Sequence, residues 1–392
     1  EYKLSGVDAD HPVNLSVRAL NGQTELDNSK LVSAITGELW GITESGIGQL
    51  VIDPVKAFGT ATVALANFKV KLTVTDAPTN INEVLYKIYC LTNGVCTDVR
   101  RADFYAGKYG DYVESFAAID PSFSTHLDDV LIWTGITNNI DYKTTHLVMR
   151  KIPAGSFTYG EGADSQVYYG NEIARTNATI TKDYYIGVFE LSVAQKKYIY
   201  DGMAAVVDVS ADAGPIGAIP YAHYTAASAI RSRPGLDQSG SQGSNWPQWT
   251  GVYNGSFMSK LRSCTKGVAF DLPTEAQWEK AARGGTSGIY YVSDDNTPDS
   301  TVLAKLAWCR ASSPEAHKPG LKKPNAYGLY DVLGNYTEYV LDWNVQKYDP
   351  ETAEGDLNDP AGPNEGYSDG IRPYRALKGF DYLNYTSTSG QN

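Results

Sequence analysis

Sulfur and histidine are scarce in this chain, and the shortage narrows its chemistry. Of 392 residues, four are cysteine (Cys90, Cys96, Cys264 and Cys309) and five are histidine. The histidines, His11, His126, His146, His223 and His317, form no H-x-H or H-x-x-x-H pair that would grip a metal from one element. No apolar run is long enough to span a bilayer, so no membrane insertion is expected. Lys and Arg gather into no block and the net charge is −12, so a phosphate backbone would be repelled and no nucleic-acid partner is expected. A phosphate-cradling glycine loop and a locally supported Ser/His/Asp grouping are missing too.

What is present describes a folded, multi-domain chain. Hydrophobic residues make up 42% and charged residues 20%, the balance of a globular protein, and the length implies two or three domains. The acidic surface is compatible with bound calcium. The chain begins at Glu1 rather than Met, the expectation being a mature form whose signal segment is gone; a chain cut at that point would look the same. Cys90 and Cys96 flank "LTNGV". If Thr92-Asn93-Gly94 is a hairpin loop with Gly94 left-handed, the two cysteines face each other, and a disulfide suits a secreted protein; two half-buried thiols are the alternative. The 28 tyrosines suit glycan or protein recognition, but strand-edge positions in β-rich structure account for most of them.

Three regions differ in pattern. Residues 1–76 read as strands, with "TATVALANFKVKLTVTD" alternating apolar and polar residues between turn signals; a small immunoglobulin-like β-sandwich is expected. Residues 77–146 mix a hairpin candidate, "EVLYKIYCLTNGVCTDV", with segments of no clean period, and read as a small mixed connector domain. Residues 147–392 begin with a strand into a Pro-Ala-Gly turn and continue through capped helices and a Gly/Ser/Trp-rich loop at 231–256, long enough to suggest function.

The stretch "DLPTEAQWEKAARGG" at 271–285 encodes its helix in full. Thr274 and Gln277 form a capping box, Glu275 complements the helix dipole, and Trp278, Ala281 and Ala282 share one face, which is predicted to be buried. Arg283 and Gly284-Gly285 end the helix. Ser192 with Gln195 caps a second helix in the same way.

Together "MRKIPAGSFTYG", "DYYIGVFELSVAQ", "DLPTEAQWEKAARGG", "PNAYGLYDVLGNYTEYVLDW" and "YRALKG" run in one order over roughly residues 147–382 and resemble the formylglycine-generating enzyme (sulfatase-modifying factor) family. The resemblance implies a C-type lectin-like fold for 147–392, so the whole chain is expected to be α+β and β-rich. In the oxidising members, two cysteines after the R-x-x-[KR]-G motif bind copper. Laid on that pattern from Arg375, the positions fall on Asn384 and Ser389, and "FDYLNYTSTSGQN" holds no sulfur, so neither copper nor formylglycine generation is expected. A branch that holds iron with histidines finds no matching set here, so no iron is expected either. The resemblance does imply a structural calcium ion at the motif ending G-N-x-x-E, with side chains of Asp331 and Glu338 and carbonyls of Gly334 and Tyr336; these are hard oxygen donors. The alternative is that Asp331 caps a turn and Glu338 makes a surface salt bridge. No acidic ligand marks the second family calcium site near "LAWCRAS".

These expectations combine into a secreted or cell-surface bacterial binding protein without catalytic residues. Its partner would be a glycan or protein ligand, met by Trp246, Trp249, Tyr253, Tyr382 and Tyr385. The residues after "RALKG" are those a diversified binding surface uses, and lectin-fold variable proteins carry such a C-terminal patch. Alternatives are a structural subunit that associates with copies of itself, and an enzyme of the superfamily with undescribed chemistry.

Overall fold

The computed structural model describes residues 1–26, 30–31, 34–59, 67–76, 80–160, 176–201, 257–295, 297, 299–310, 312–313, 315–343, 357–361 and 375–379. The fold is mixed α and β with more strand than helix. The chain separates into two compact units, Glu1–Leu85 with Asp98–Tyr112, and Tyr86–Thr97 with Val113–Asn392. The segment 77–146, expected to stand as a connector, is divided between them.

The first unit runs through β1 (Tyr2–Leu4), β2 (Val13–Asn21), β3 (Thr24–Glu25), β4 (Ile35–Thr36), β5 (Gly46–Gly48), β6 (Val51–Ile52), α1 (Pro54–Phe58) and β7 (Phe68–Asp76). Its described strands form antiparallel sheets, of which β3-β2-β7 is the largest. In β2, Leu15, Val17 and Ala19 alternate inward to the core with Leu4, Leu31, Leu39 and Ile42, as a period of two dictates. Asp53 starts α1 by accepting from the N–H groups of Val55 and Lys56.

Next come β8 (Val84–Cys90), β9 (Cys96–Arg100) and α2 (Arg101–Tyr105). In the turn after Cys90, Gly94 is left-handed at φ 69, as expected. The Cys90 N–H, however, donates to the Val95 carbonyl at 2.9 Å, so the hairpin sets Cys90 against Val95 and displaces Cys96 from the facing position. Both cysteines are free thiols, Cys90 Sγ lying 3.0 Å from Thr92 Oγ1. The bridge expected between them is not formed.

The second unit continues with β10 (His146–Ile152), β11 (Gly155–Tyr159), β12 (Thr176–Ile180), β13 (Tyr184–Gly187), α3 (Val193–Asp201), α4 (Phe257–Cys264), α5 (Glu275–Arg283), α6 (Ser300–Leu306), β14 (Glu338–Trp343), β15 (Leu357–Asn358) and β16 (Arg375–Lys378). β10 lies between β8 and β13, antiparallel to both, with His146 opposite Cys90 and Ile152 opposite Tyr184. β11 and β12 form a hairpin, β15 adds to it in parallel, and β14 pairs with β16. The main core gathers Ile132, Ile152, Trp278, Leu303, Leu306, Tyr327, Leu329 and Val340 from strands, helices and loops.

Candidate functional site

The site is assembled around α5, which forms as its sequence dictates. Thr274 Oγ1 accepts the Gln277 N–H and Gln277 Oε1 accepts the Thr274 N–H, at 3.1 and 2.9 Å. The buried Asp342 of β14 accepts the Glu275 N–H at 2.6 Å, placing a carboxylate where the helix dipole favours one. At the other end Gly284 is left-handed at φ 56, and a Cβ there would meet the Ala326 nitrogen at 3.1 Å. Asn325, fully buried, donates to the Ala281 and Ala282 carbonyls and accepts the N–H groups of Tyr327 and Leu329. Trp278, Ala281 and Ala282 are buried together, as the spacing predicts.

α5 also anchors the motif strand β16. Lys378 donates to Glu275 at 3.0 Å and Glu279 at 3.2 Å, while Arg283 closes on Glu279 at 2.7 Å and on the carbonyls of Gly160 and Gly288. Burial pushes the Glu279 carboxyl up, but Lys378 and Arg283 outweigh it and hold the group below its ordinary value. This is a satisfied ion network of structural character.

Facing α5 lies a group of three carboxyls, Glu190, Asp331 and Glu338. Asp331 is left-handed at φ 61, a conformation Asp tolerates, and is buried. Its Oδ2 accepts the Gly320 N–H at 2.6 Å, whereas its Oδ1 is buried without a hydrogen-bond partner. Burial raises Asp331 to about 6, against the Gly320 N–H and the charges of Lys143 and Lys322. Burial raises Glu338 to about 7, with a bond from Trp278 opposing and the Asp331 charge adding. Glu190, on the short link between β13 and α3, is raised by burial and then by its two acidic neighbours. Its oxygens accept from Asn335 Nδ2 at 2.6 Å and the Tyr336 N–H at 3.0 Å.

The turn 331–336 holds this arrangement in place. Asn335, left-handed at φ 71, clamps the His317 backbone through both ends of its amide. Gly334 passes so close to the Trp308 carbonyl that a Cβ would come within 2.5 Å, which explains glycine there. The Gly334 carbonyl accepts the Tyr336 N–H at 2.9 Å.

Asp331, Gly334, Tyr336 and Glu338, the four residues expected at a calcium site, all lie in or just after this turn. Hard oxygens, an orphaned buried carboxylate oxygen and an excess of acid over base fit a divalent cation. Among the described residues no three His, Cys, Asp or Glu side chains are placed to hold a metal, so such a site depends on the carbonyls of Gly334 and Tyr336. His317 is stacked on Trp308 at 3.6 Å between ring centres, with Nε2 2.8 Å from Ser313 Oγ, and serves packing. Trp246, Trp249, Tyr253, Tyr382 and Tyr385 lie outside the described residues, as do Asn384 and Ser389.

Beside the carboxyls opens a cavity of about 520 Å³. It runs from Glu190, Tyr336 and Glu338 along α5 to an apolar cluster of β8, β10 and α4 that includes Tyr89, Leu147 and Leu261. No motif or periodicity in the chain pointed to it.

The model of the sulfatase-modifying factor enzyme 1-like domain matches residues 139–391. The chain belongs to that family. It is 34% identical over 125 residues to the formylglycine-generating enzyme of Streptomyces coelicolor, covering 30% of this chain and 37% of that relative. To the formylglycine-generating enzyme of Mus musculus it is 24% identical over 266 residues, 61% of this chain and 67% of the relative. It is also 37% identical over 86 residues to the inactive Cα-formylglycine-generating enzyme 2 of Mus musculus, 20% of this chain and 27% of the relative. The aligned stretches thus span about a quarter to two thirds of these relatives. Among solved structures, Treponema denticola variable protein 1 aligns over 61% of this chain and 85% of its own, at 21% identity and TM-score 0.41.

Against the family pattern, this member's cysteines are elsewhere. Cys90 and Cys96 belong to the β8–β9 hairpin, Cys264 ends α4, and Cys309 is buried after α6 beside Ser312. No cysteine or methionine follows Cys309 in the sequence.

Proposed function

We propose that this chain is a non-catalytic binding protein on the sulfatase-modifying-factor scaffold, acting outside the cell. The observation that carries the reading is the pair Asn384 and Ser389, which stand where the resemblance implies copper-binding cysteines. Copper(I) prefers thiolate, and neither an amide nor a hydroxyl replaces it. The scaffold is otherwise supported in detail by the capped α5, the Lys378 anchor and the G-N-x-x-E turn. A calcium ion on Asp331, Glu338 and the Gly334 and Tyr336 carbonyls stabilises that turn. A glycan or protein ligand is met by Trp246, Trp249, Tyr253, Tyr382 and Tyr385, which offer rigid amphipathic area at low entropic cost.

The reading is tested by incubating the copper-loaded protein with a cysteine-bearing sulfatase peptide and following the peptide by mass spectrometry. The expected result is an unchanged peptide; conversion of its cysteine to formylglycine ends the proposal. Loss of ligand capture on replacing Trp246 and Tyr382 with Ala supports the aromatic site, and unchanged capture removes it.

A further inference from the structure

The first unit carries a nine-residue strand, β7, at the edge of its largest described sheet. β7 pairs with β2 along its whole length, from Asn21 opposite Phe68 to Val13 opposite Asp76, and no described strand pairs with its other side. Phe68, Val70, Leu72 and Val74 fall on the same face as Leu15, Val17 and Ala19 of β2. The β2 residues are buried, but those four of β7 are 43%, 42%, 36% and 51% exposed. Lys69, Lys71, Thr73 and Thr75 take the opposite face. An apolar row left bare beside a finished core marks a surface that meets a partner. The backbone points the same way. The Gly22 N–H donates to the Asn67 carbonyl at 2.8 Å, whereas Val13 bonds with Ile42 and the Ala19 carbonyl accepts from Leu26, away from β7. Antiparallel bonding alternates by residue, so the odd-numbered residues of β7 direct their N–H and C=O groups to β2. The even-numbered ones turn theirs to the open edge. Bare side chains and bare backbone groups thus belong to the same residues.

We propose that this edge pairs with β7 of a second copy of the chain, antiparallel about a two-fold axis at Leu72. In that register Leu72 meets Leu72, Val70 meets Val74 and Phe68 pairs with Asp76, so both apolar rows lie on one face and the whole strand is used. Lys69 then faces Thr75, and Lys71 faces Thr73. Centring on Lys71 instead would oppose two lysines, each already opposite Arg18 of its own β2, and like charges so placed repel. Centring on Thr73 leaves Phe68 and Lys69 without partners. At Leu72 every even-numbered residue exchanges both backbone bonds across the axis, about ten in all. The joined sheet ends on each side at β3, a strand of only two residues, so association closes at two copies.

The test is sedimentation of the full chain across a concentration series, and a reversible monomer–dimer equilibrium is expected. Leu72→Lys and Leu72→Glu each weaken the dimer by about tenfold or more, because two like charges meet across the axis. An equimolar mixture of the two variants restores it, since each lysine then meets a glutamate. Val70→Pro removes an outward N–H and leaves the bonds to β2 in place. It weakens the dimer in the same way and decides the matter if the charged variants do not fold. A chain that stays monomeric, even one that captures an extended apolar peptide, overturns the proposal. So does a dimer unmoved by the folded variants, assembly beyond two copies, or a mixture no better than its components. β7 lies outside the family stretch at 139–391, so this test and the oxidase test fail separately.

Discussion

Asp331 and Glu338 sit where burial works against their charge, and the consequence for stability has a definite sign. A carboxyl whose folded value is raised holds its proton longer in the folded state, so its contribution is fully present below the unfolded value near 4 and is lost as pH rises through the folded one. With Asp331 at about 6 and Glu338 at about 7, that loss falls between about pH 4 and 7. The chelated protein is therefore expected to melt higher at about pH 5.5 than at about pH 8. Calcium pairs with the ionised forms, so adding it at the higher pH raises the melting temperature and flattens the profile. Asp331→Asn removes one of the two charges and with it most of the calcium response. Thermal melts across pH, with and without chelator, check all three outcomes; a chelated profile that rises toward pH 8 contradicts the assignment. The four residues proposed for calcium could be named together from the sequence because they lie within eight positions of one another. Glu190 was not: a lone carboxyl in "GVFELSV" gains meaning only from Asn335 and Tyr336, which the fold brings from 145 and 146 positions away.

At the scale of the element, α5 is the part whose structure follows most directly from local sequence. Its start and stop depend on residues within one turn, so the Thr274–Gln277 box and the left-handed Gly284 could be read without the fold. Thr274→Ala is expected to destabilise by about 1 kcal/mol, the usual value of a lost cap, seen as a shifted urea midpoint at unchanged slope. The contacts that make α5 the centre of the unit are non-local and were not legible. Asn325 satisfies four backbone groups from a loop far along the chain, and Asn325→Leu leaves them buried without partners. That substitution costs about 3 kcal/mol or more, clearly beyond the capping variant in the same titration. Lys378 lies in "RALKG", a motif the sequence marked, but its pairing with Glu275 and Glu279 emerges only when β16 reaches the helix. Lys378→Met removes the counter-charge of the partly exposed Glu275 and one of the two on Glu279, which keeps Arg283, and is expected to cost about 1–3 kcal/mol, measured by chemical denaturation.

For the whole molecule, the class and the family stretch were legible, but the boundary at 146/147 was not. The motifs begin at residue 147, so a reading by motif starts the domain there. The physical unit starts earlier, because a strand is stabilised by its neighbours in the sheet rather than by its neighbours in sequence. β10 pairs through five positions with β8, from His146 opposite Cys90 to Arg150 opposite Tyr86. Phe116, Phe123, Val130 and Ile132 complete the core that holds Trp278, and the Tyr86 hydroxyl accepts the Trp133 N–H at 3.2 Å. A fragment of residues 147–392 therefore loses one partner of β10, exposes a long apolar strand edge and opens the core on one side. It is expected to be insoluble or to melt without a cooperative transition. A fragment of residues 86–392 keeps the five β8 positions that pair with β10 and residues 113–146, and is expected to melt cooperatively and to retain the calcium response. Calorimetry of the two fragments against the full chain decides the point: a sharp, two-state melt from 147–392 would mean that β8 and the 113–146 segment are dispensable, and that the motif boundary was the physical one after all.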